Sequence, residues 1–107
     1  MKTLLQHKNK HTALFAVNTT EQLEEIKKIT CLIFGGYTLS KTFGGWTDEN
    51  KNLLEETSYK LEILTDKQSK YIENLSQHIA QIAQQSEVYF YTKKVNLNIV
   101  QNFNHAK

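Results

Sequence analysis

The chain has no arginine and no proline in its 107 residues, a single cysteine and only four glycines. All thirteen basic residues are therefore lysine. Without arginine there is no planar fork to read guanine or clamp phosphate bidentately, which argues against sequence-specific DNA recognition. Lysine remains available as a point-charge anion binder. The lack of Arg and Pro beside abundant Lys, Asn, Gln and Ile is what AT-rich coding also yields. Cys31 alone excludes an internal disulfide and a cysteine-based zinc site, and is expected to be a small buried strand residue. No apolar run approaches the ~20 residues of a membrane span. Residues 1–11 offer only Leu4 and Leu5 as apolar side chains beyond Met1, too few for the core of a secretory leader. The expected compartment is the cytoplasm.

What is present points to one domain of ordinary globular composition, with 39% hydrophobic residues and a net charge of +2. Residues 1–10 read as a basic flexible arm, residues 11–100 as a single α+β domain, and residues 101–107 as a flexible tail. A first strand is expected over residues 12–17. Thr19 with Gln22, or Asn18 with Glu21, fits a capping box for a helix over residues 20–28, with Leu23 and Ile26 inward. Residues 30–34 are β-rich and read as a second strand. Residues 53–64 alternate: Leu53, Thr57, Tyr59, Leu61 and Ile63 share one face, and Glu56, Ser58, Lys60 and Glu62 the other. Thr65-Asp66-Lys67-Gln68 reads as a second capping box. It opens the strongest amphipathic helix, residues 66–84, with Ile72, Leu75, Ile79 and Ile82 as its stripe. Its partners are expected to be Leu61, Ile63, Val88 and Phe90. Residues 86–91 and 95–99 read as two strands joined by a turn at residues 92–94. The expected architecture is ferredoxin-like: two helices on one face of an antiparallel four- to five-stranded sheet.

The most distinctive motif is a tandem unit. Phe34-Gly35-Gly36-Tyr37-Thr38 is followed by Phe43-Gly44-Gly45-Trp46-Thr47, which together hold every glycine and the only tryptophan. Neither unit matches a P-loop or a dinucleotide fingerprint. Two readings stand. In one, the units form a ligand lip: Gly35, Gly36, Gly44 and Gly45 offer backbone amides, Ser40, Lys41 and Thr42 offer hydroxyls and charge, and Tyr37 or Trp46 stacks a base. In the other, they form a twisted hairpin whose glycines make bulges and whose aromatics fill the core.

Other chemistry is sparse. Glu55 falls on the apolar face of its strand, suited to binding the doublet's amides, pairing a lysine or lining a pocket. Glu56 and Glu62 lie on the solvated face. Acid–base work by Glu55 or Glu56 is the enzymatic alternative. His7 and His11 have i, i+4 spacing without a nearby carboxylate or cysteine, so no metal site is expected, and no cofactor. Tyr89 and Tyr91 share a strand face that needs a cover. A second subunit is the preferred one, which makes a homo-oligomer the expectation.

Three segments together resemble a known pattern: Gly45-Trp46, residues 56–63 with Glu56-Thr57-Ser58, and Gln85-Ser86-Glu87-Val88 after the amphipathic helix. This is similar to a family of small bacterial and phage proteins with a G-x-W…E-x-S…Q-x-x-V pattern. The order also looks like the phage proteins that inhibit Thoeris immunity by sequestering a cyclic nucleotide signal. The resemblance implies a non-enzymatic anti-defence protein in a bacterial host, binding a small anionic nucleotide-type ligand between subunits. The alternative it leaves is a direct protein inhibitor of a host defence nuclease, as anti-CRISPR proteins are.

Overall fold

A computed structural model describes residues 1–102. Six elements follow one another: β1 (Lys2–Phe15), α1 (Thr20–Phe34), β2 (Thr38–Thr47), β3 (Leu53–Thr65), α2 (Ser69–Ala83) and β4 (Tyr89–Gln101). The strands form one antiparallel sheet in the order β2-β3-β1-β4. Each helix thus joins two strands separated by one inserted neighbour, and both helices cover the same face. The fold is α+β and ferredoxin-like.

Alternation decides which face is dry. His11, Ala13 and Phe15 of β1 lie beside Ile63, Leu61 and Tyr59 of β3, and all six turn toward the helices. Above them α1 supplies Ile26 and Thr30, and α2 supplies Ile72, Leu75, Ile79 and Ala83. Each fully buried aliphatic side chain here contributes about 1.5–3 kcal/mol. Fully buried His11 joins three elements. Its Nε2 donates to the Lys67 carbonyl at 2.8 Å, so its Nδ1 accepts from the Thr92 hydroxyl at 2.8 Å.

The pairing is staggered. β3 meets β1 only where residues 59–65 lie against residues 15–9. Residues 42–47 and 53–58 of β2 and β3 therefore run on as a two-stranded arm. At the opposite end, residues 2–8 of β1 run past β3 and pair with β4 alone. The molecule is accordingly elongated, 58 × 26 × 26 Å.

Several local expectations are corrected. Residues 1–10 are not a flexible arm: from Lys2 onward they are β1, because β4 offers a continuous partner ladder. The tail expectation fails at Gln101, which closes β4; residues 103–107 lie outside the described residues. Residues 30–34 are the end of α1, not a strand. Thr30 is buried and donates its hydroxyl to the Ile26 carbonyl at 2.7 Å, so packing overrides β propensity. Cys31 is consequently exposed on a helix rather than buried on a strand. No turn occurs at residues 92–94; Thr92 is bound to His11 within the unbroken β4. The second capping box does not form. Gln68 is the N-cap, without a side-chain bond, and Thr65 Oγ1 accepts from the Lys67 amide instead. The first capping box forms through Thr19 and Gln22. Phe90 remains 40% exposed and is not part of the core beneath α2.

Candidate functional site

The tandem unit is divided by the fold. Gly35 ends α1 with φ 86°, its amide bonded to the Cys31 carbonyl at 2.8 Å, so the first glycine pair is a helix terminus. Tyr37 packs half-buried against the core. The second pair lies inside β2, where Gly44 and Gly45 pair with Glu56 and Glu55 in unbroken register. There is no bulge. An added Cβ at Gly44 would meet nothing, and one at Gly45 only ordinary contacts with Leu53 and Leu54.

Lys41 sits opposite Tyr59 on the helix side of the sheet, whereas Ser40, Thr42 and Trp46 sit opposite Lys60, Ser58 and Leu54 on the other side. Thr42 and Ser58 share a hydroxyl hydrogen bond of 2.7 Å. Glu55 is exposed on the arm, on the same side as Lys41. The structure thus brings Ser40, Thr42 and Trp46 onto one face, leaves Gly35, Lys41 and Glu55 away from it, and sets Gly36 and Tyr37 against a separate cleft at the start of β2. The aromatics of the second unit do not fill the core: Phe43 is 81% and Trp46 56% exposed.

A different set of side chains converges on the sheet face that no helix covers. Cross-strand pairing places Lys60 and Tyr89 beside Leu14, Glu62 and Tyr91 beside Thr12, and Leu64 and Lys93 beside Lys10. At the centre Lys10 Nζ meets one Glu62 oxygen at 2.6 Å, and Lys60 Nζ approaches the other at 3.7 Å. Thr12 is fully buried beneath this cluster. Its hydroxyl has no hydrogen-bond partner among the described residues. The hydrogen bond from Lys10, before any other influence, holds the Glu62 carboxyl below its ordinary range. The reciprocal bond from Glu62 raises the Lys10 ammonium. Glu62 is thereby fixed as a carboxylate and Lys10 as a cation.

Beside this pair opens a cleft of about 540 Å³. Lys10, Glu62 and Thr38 supply its polar wall; Leu64, Val95 and Leu97 supply the apolar one, together with Phe34, Gly36 and Tyr37 of the first Phe-Gly-Gly unit. An adjoining hollow of about 420 Å³ lies between Lys8, Asp66 and Lys94. Such a site can hold a molecule with a flat apolar part and a negatively charged part. Sequence reasoning missed Lys10 because residues 1–10 were assigned to a flexible arm. The signal was the period-two set Lys8, Lys10, Thr12, Leu14. Glu62 was placed on the correct face without its lysine partner.

Tyr89 and Tyr91 lie on this same face, 65% and 41% exposed. His7 and His11 do not converge on a metal; His7 Nδ1 pairs with Asn96 at 2.8 Å. Among the described residues no cluster of three or more His, Cys, Asp or Glu is placed to hold a metal ion. No helix of the described residues is long and apolar enough to cross a membrane.

No protein-family model matches the chain, and no curated protein sequence is detectably similar to it. Solved structures are similar in shape. A phage SAM lyase superposes with TM-score 0.65 at 14% identity, over 91% of this chain and 92% of that one. The phage SAM lyase in complex with S-methyl-5'-thioadenosine gives 0.62 at 13% identity, covering 90% and 92%. The Bacillus subtilis GlnK–ATP complex gives 0.64 at 13% identity, covering 83% and 82%. CutA from Synechococcus elongatus gives 0.64 at 7% identity, covering 92% and 85%. At these identities the likeness establishes the fold alone.

Proposed function

We propose that this chain is a non-enzymatic binding protein that sequesters a small anionic nucleotide-type ligand, in the service of phage or mobile-element counter-defence. The observation that carries the reading is the cleft on the uncovered sheet face, with a lysine–carboxylate wall facing an apolar wall. In this reading a phosphate lies beside Lys10, ribose hydroxyls beside Glu62, and a base against Leu64, Val95 and Leu97. Two of the similar folds hold adenosine compounds, S-methyl-5'-thioadenosine and ATP, which favours that ligand class. The homo-oligomer belongs to the same reading, because Tyr89 and Tyr91 stand on an open face.

One observation favours a second reading. The likeness to a phage SAM lyase raises an enzyme acting on an adenosyl compound. Incubation with cyclic and linear nucleotides, S-adenosylmethionine and S-methyl-5'-thioadenosine separates the two, with ligand recovered after denaturation. Sequestration expects intact ligand in stoichiometric amount. Catalytic consumption of any panel member overturns the non-enzymatic reading. No binding to any of them, together with a stable complex with a host nuclease, moves direct inhibition ahead.

A further inference from the structure

The two arms at opposite ends of the molecule are complementary. The β2–β3 arm, residues 43–57, carries Asp48, Glu49, Glu55 and Glu56 against the single lysine Lys51. The β1–β4 arm, residues 1–8 and 95–101, carries Lys2 and Lys8 and no carboxylate. Lys8 also reaches Asp66 at 2.9 Å, at the base of the arm. Among the described residues, each arm has an unpaired backbone edge. In β3 it is residues 53–58 on the side where β1 has ended; in β1 it is the residues before Lys8, on the side where β3 has ended. Unpaired strand edges are templates for another strand. Exposed apolar side chains accompany both: Phe43 and Leu53 on one arm, Leu5 and Val100 on the other. By cross-strand parity all four stand on the helix side of the sheet.

We propose that the acidic β2–β3 arm of one copy adds edge to edge onto the basic β1–β4 arm of a second copy. The occupant is another molecule of this chain, and the contact is head-to-tail. Paired antiparallel, as in the intrachain β1–β3 ladder, the two edges keep open face with open face. Leu5 and Val100 then meet Phe43 and Leu53 in one apolar row on the helix side, while Glu56 approaches Lys2 and Lys8 on the open side. The added strand fills the gap left beyond Thr65, beside the cleft, and brings Leu54, Glu56 and Ser58 to the cleft's side of the sheet. The ligand site is thereby completed by the neighbour. Head-to-tail contacts use every arm only when they close into a ring. The inference rests on the self-association proposed above and not on the ligand.

Charge reversal tests it without any ligand. Light scattering and native mass spectrometry are run on the wild type, on Glu56→Lys, on Lys2→Glu with Lys8→Glu, and on all three changes in one chain. The wild type is expected to be an oligomer at micromolar concentration. Each reversal is expected to weaken association by more than about tenfold, since it sets like charges against each other. The combined reversal is expected to restore the original subunit number. Thermal melts identify a variant that merely unfolds. Should Lys8→Glu do so through its loss of Asp66, Lys2→Glu alone takes its place. A monomeric wild type overturns the proposal. So does an oligomer indifferent to both reversals, or a folded combined variant that stays dissociated. Nucleotide titration of the same samples is a separate readout, so loss of assembly and loss of ligand binding are distinguished.

Discussion

The two Phe-Gly-Gly units are nearly identical in sequence and opposite in situation. Phe34 packs half-buried with its ring 5.7 Å from that of His11, Gly35 takes the left-handed conformation that ends α1, and Tyr37 lies against the core. Nine residues further on, Phe43 and Trp46 project into solvent from an arm, and Gly44 and Gly45 have ordinary strand backbone. The first unit is required by the path of the chain. The second meets no such requirement within one molecule, and its side chains are free for a partner.

The largest effect that tests this division lies beneath the first unit. Leu75 is wholly buried, and Leu75→Ala should cost about 2–5 kcal/mol in chemical denaturation. For a domain of this size that is a large share of the total. A midpoint shift equivalent to less than about 1 kcal/mol would mean that the helix face is not the core. Next comes Gly35→Ala. Forcing a Cβ into the left-handed region should cost about 1–2 kcal/mol, read from the same melts. Gly44→Ala is its counterpart and should change stability by no more than about 0.5 kcal/mol. Equal costs at the two glycines would erase the comparison. Trp46→Ala should likewise fall under about 1 kcal/mol, because the ring is mostly exposed. A core-sized loss would return the arm's aromatics to a structural role.

The smallest effect concerns the open face. Glu62 is held below its ordinary 4.5, so its contribution to stability is present above that pH and is lost as pH falls through the folded value. Lys10 is raised above its ordinary 10.5, so its contribution is present below 10.5 and is lost as pH rises through the folded value. Glu62→Gln and Lys10→Met should each flatten both limbs of the melting profile, because each shift is caused by the other group. Unchanged limbs in both variants would mean that the pair does not form in solution.

The helices and the hydrophobic face were largely legible from the chain. Ile72, Leu75 and Ile79 recur at helical spacing, and residues 53–64 alternate cleanly, so period alone identified α2, β3 and the face each buries. The Thr19–Gln22 box likewise marked the start of α1. What was not legible depended on partners distant in sequence. Residues 2–10 become a strand only because residues 93–101 lie opposite. Thr92 stays extended because His11 binds it across the sheet, and residues 30–34 remain helical because Thr30 and Phe34 pack inward. The candidate site was hidden for the same reason. Lys10 and Glu62 are far apart in the chain and meet through β1–β3 register, whereas the conspicuous doublet placed Lys41 and Trp46 on opposite faces of one strand.

The ligand is expected in the cleft beside Lys10 and Glu62, which Phe34, Gly36 and Tyr37 also line, and not at Lys41 and the second Phe-Gly-Gly unit. Isothermal titration of the same nucleotide panel into wild type, Lys10→Ala and Lys41→Ala tests it most directly. The expected result is binding by the wild type, at least about tenfold weaker binding by Lys10→Ala, and unchanged binding by Lys41→Ala. Undiminished binding by Lys10→Ala, with loss in Lys41→Ala, would contradict it.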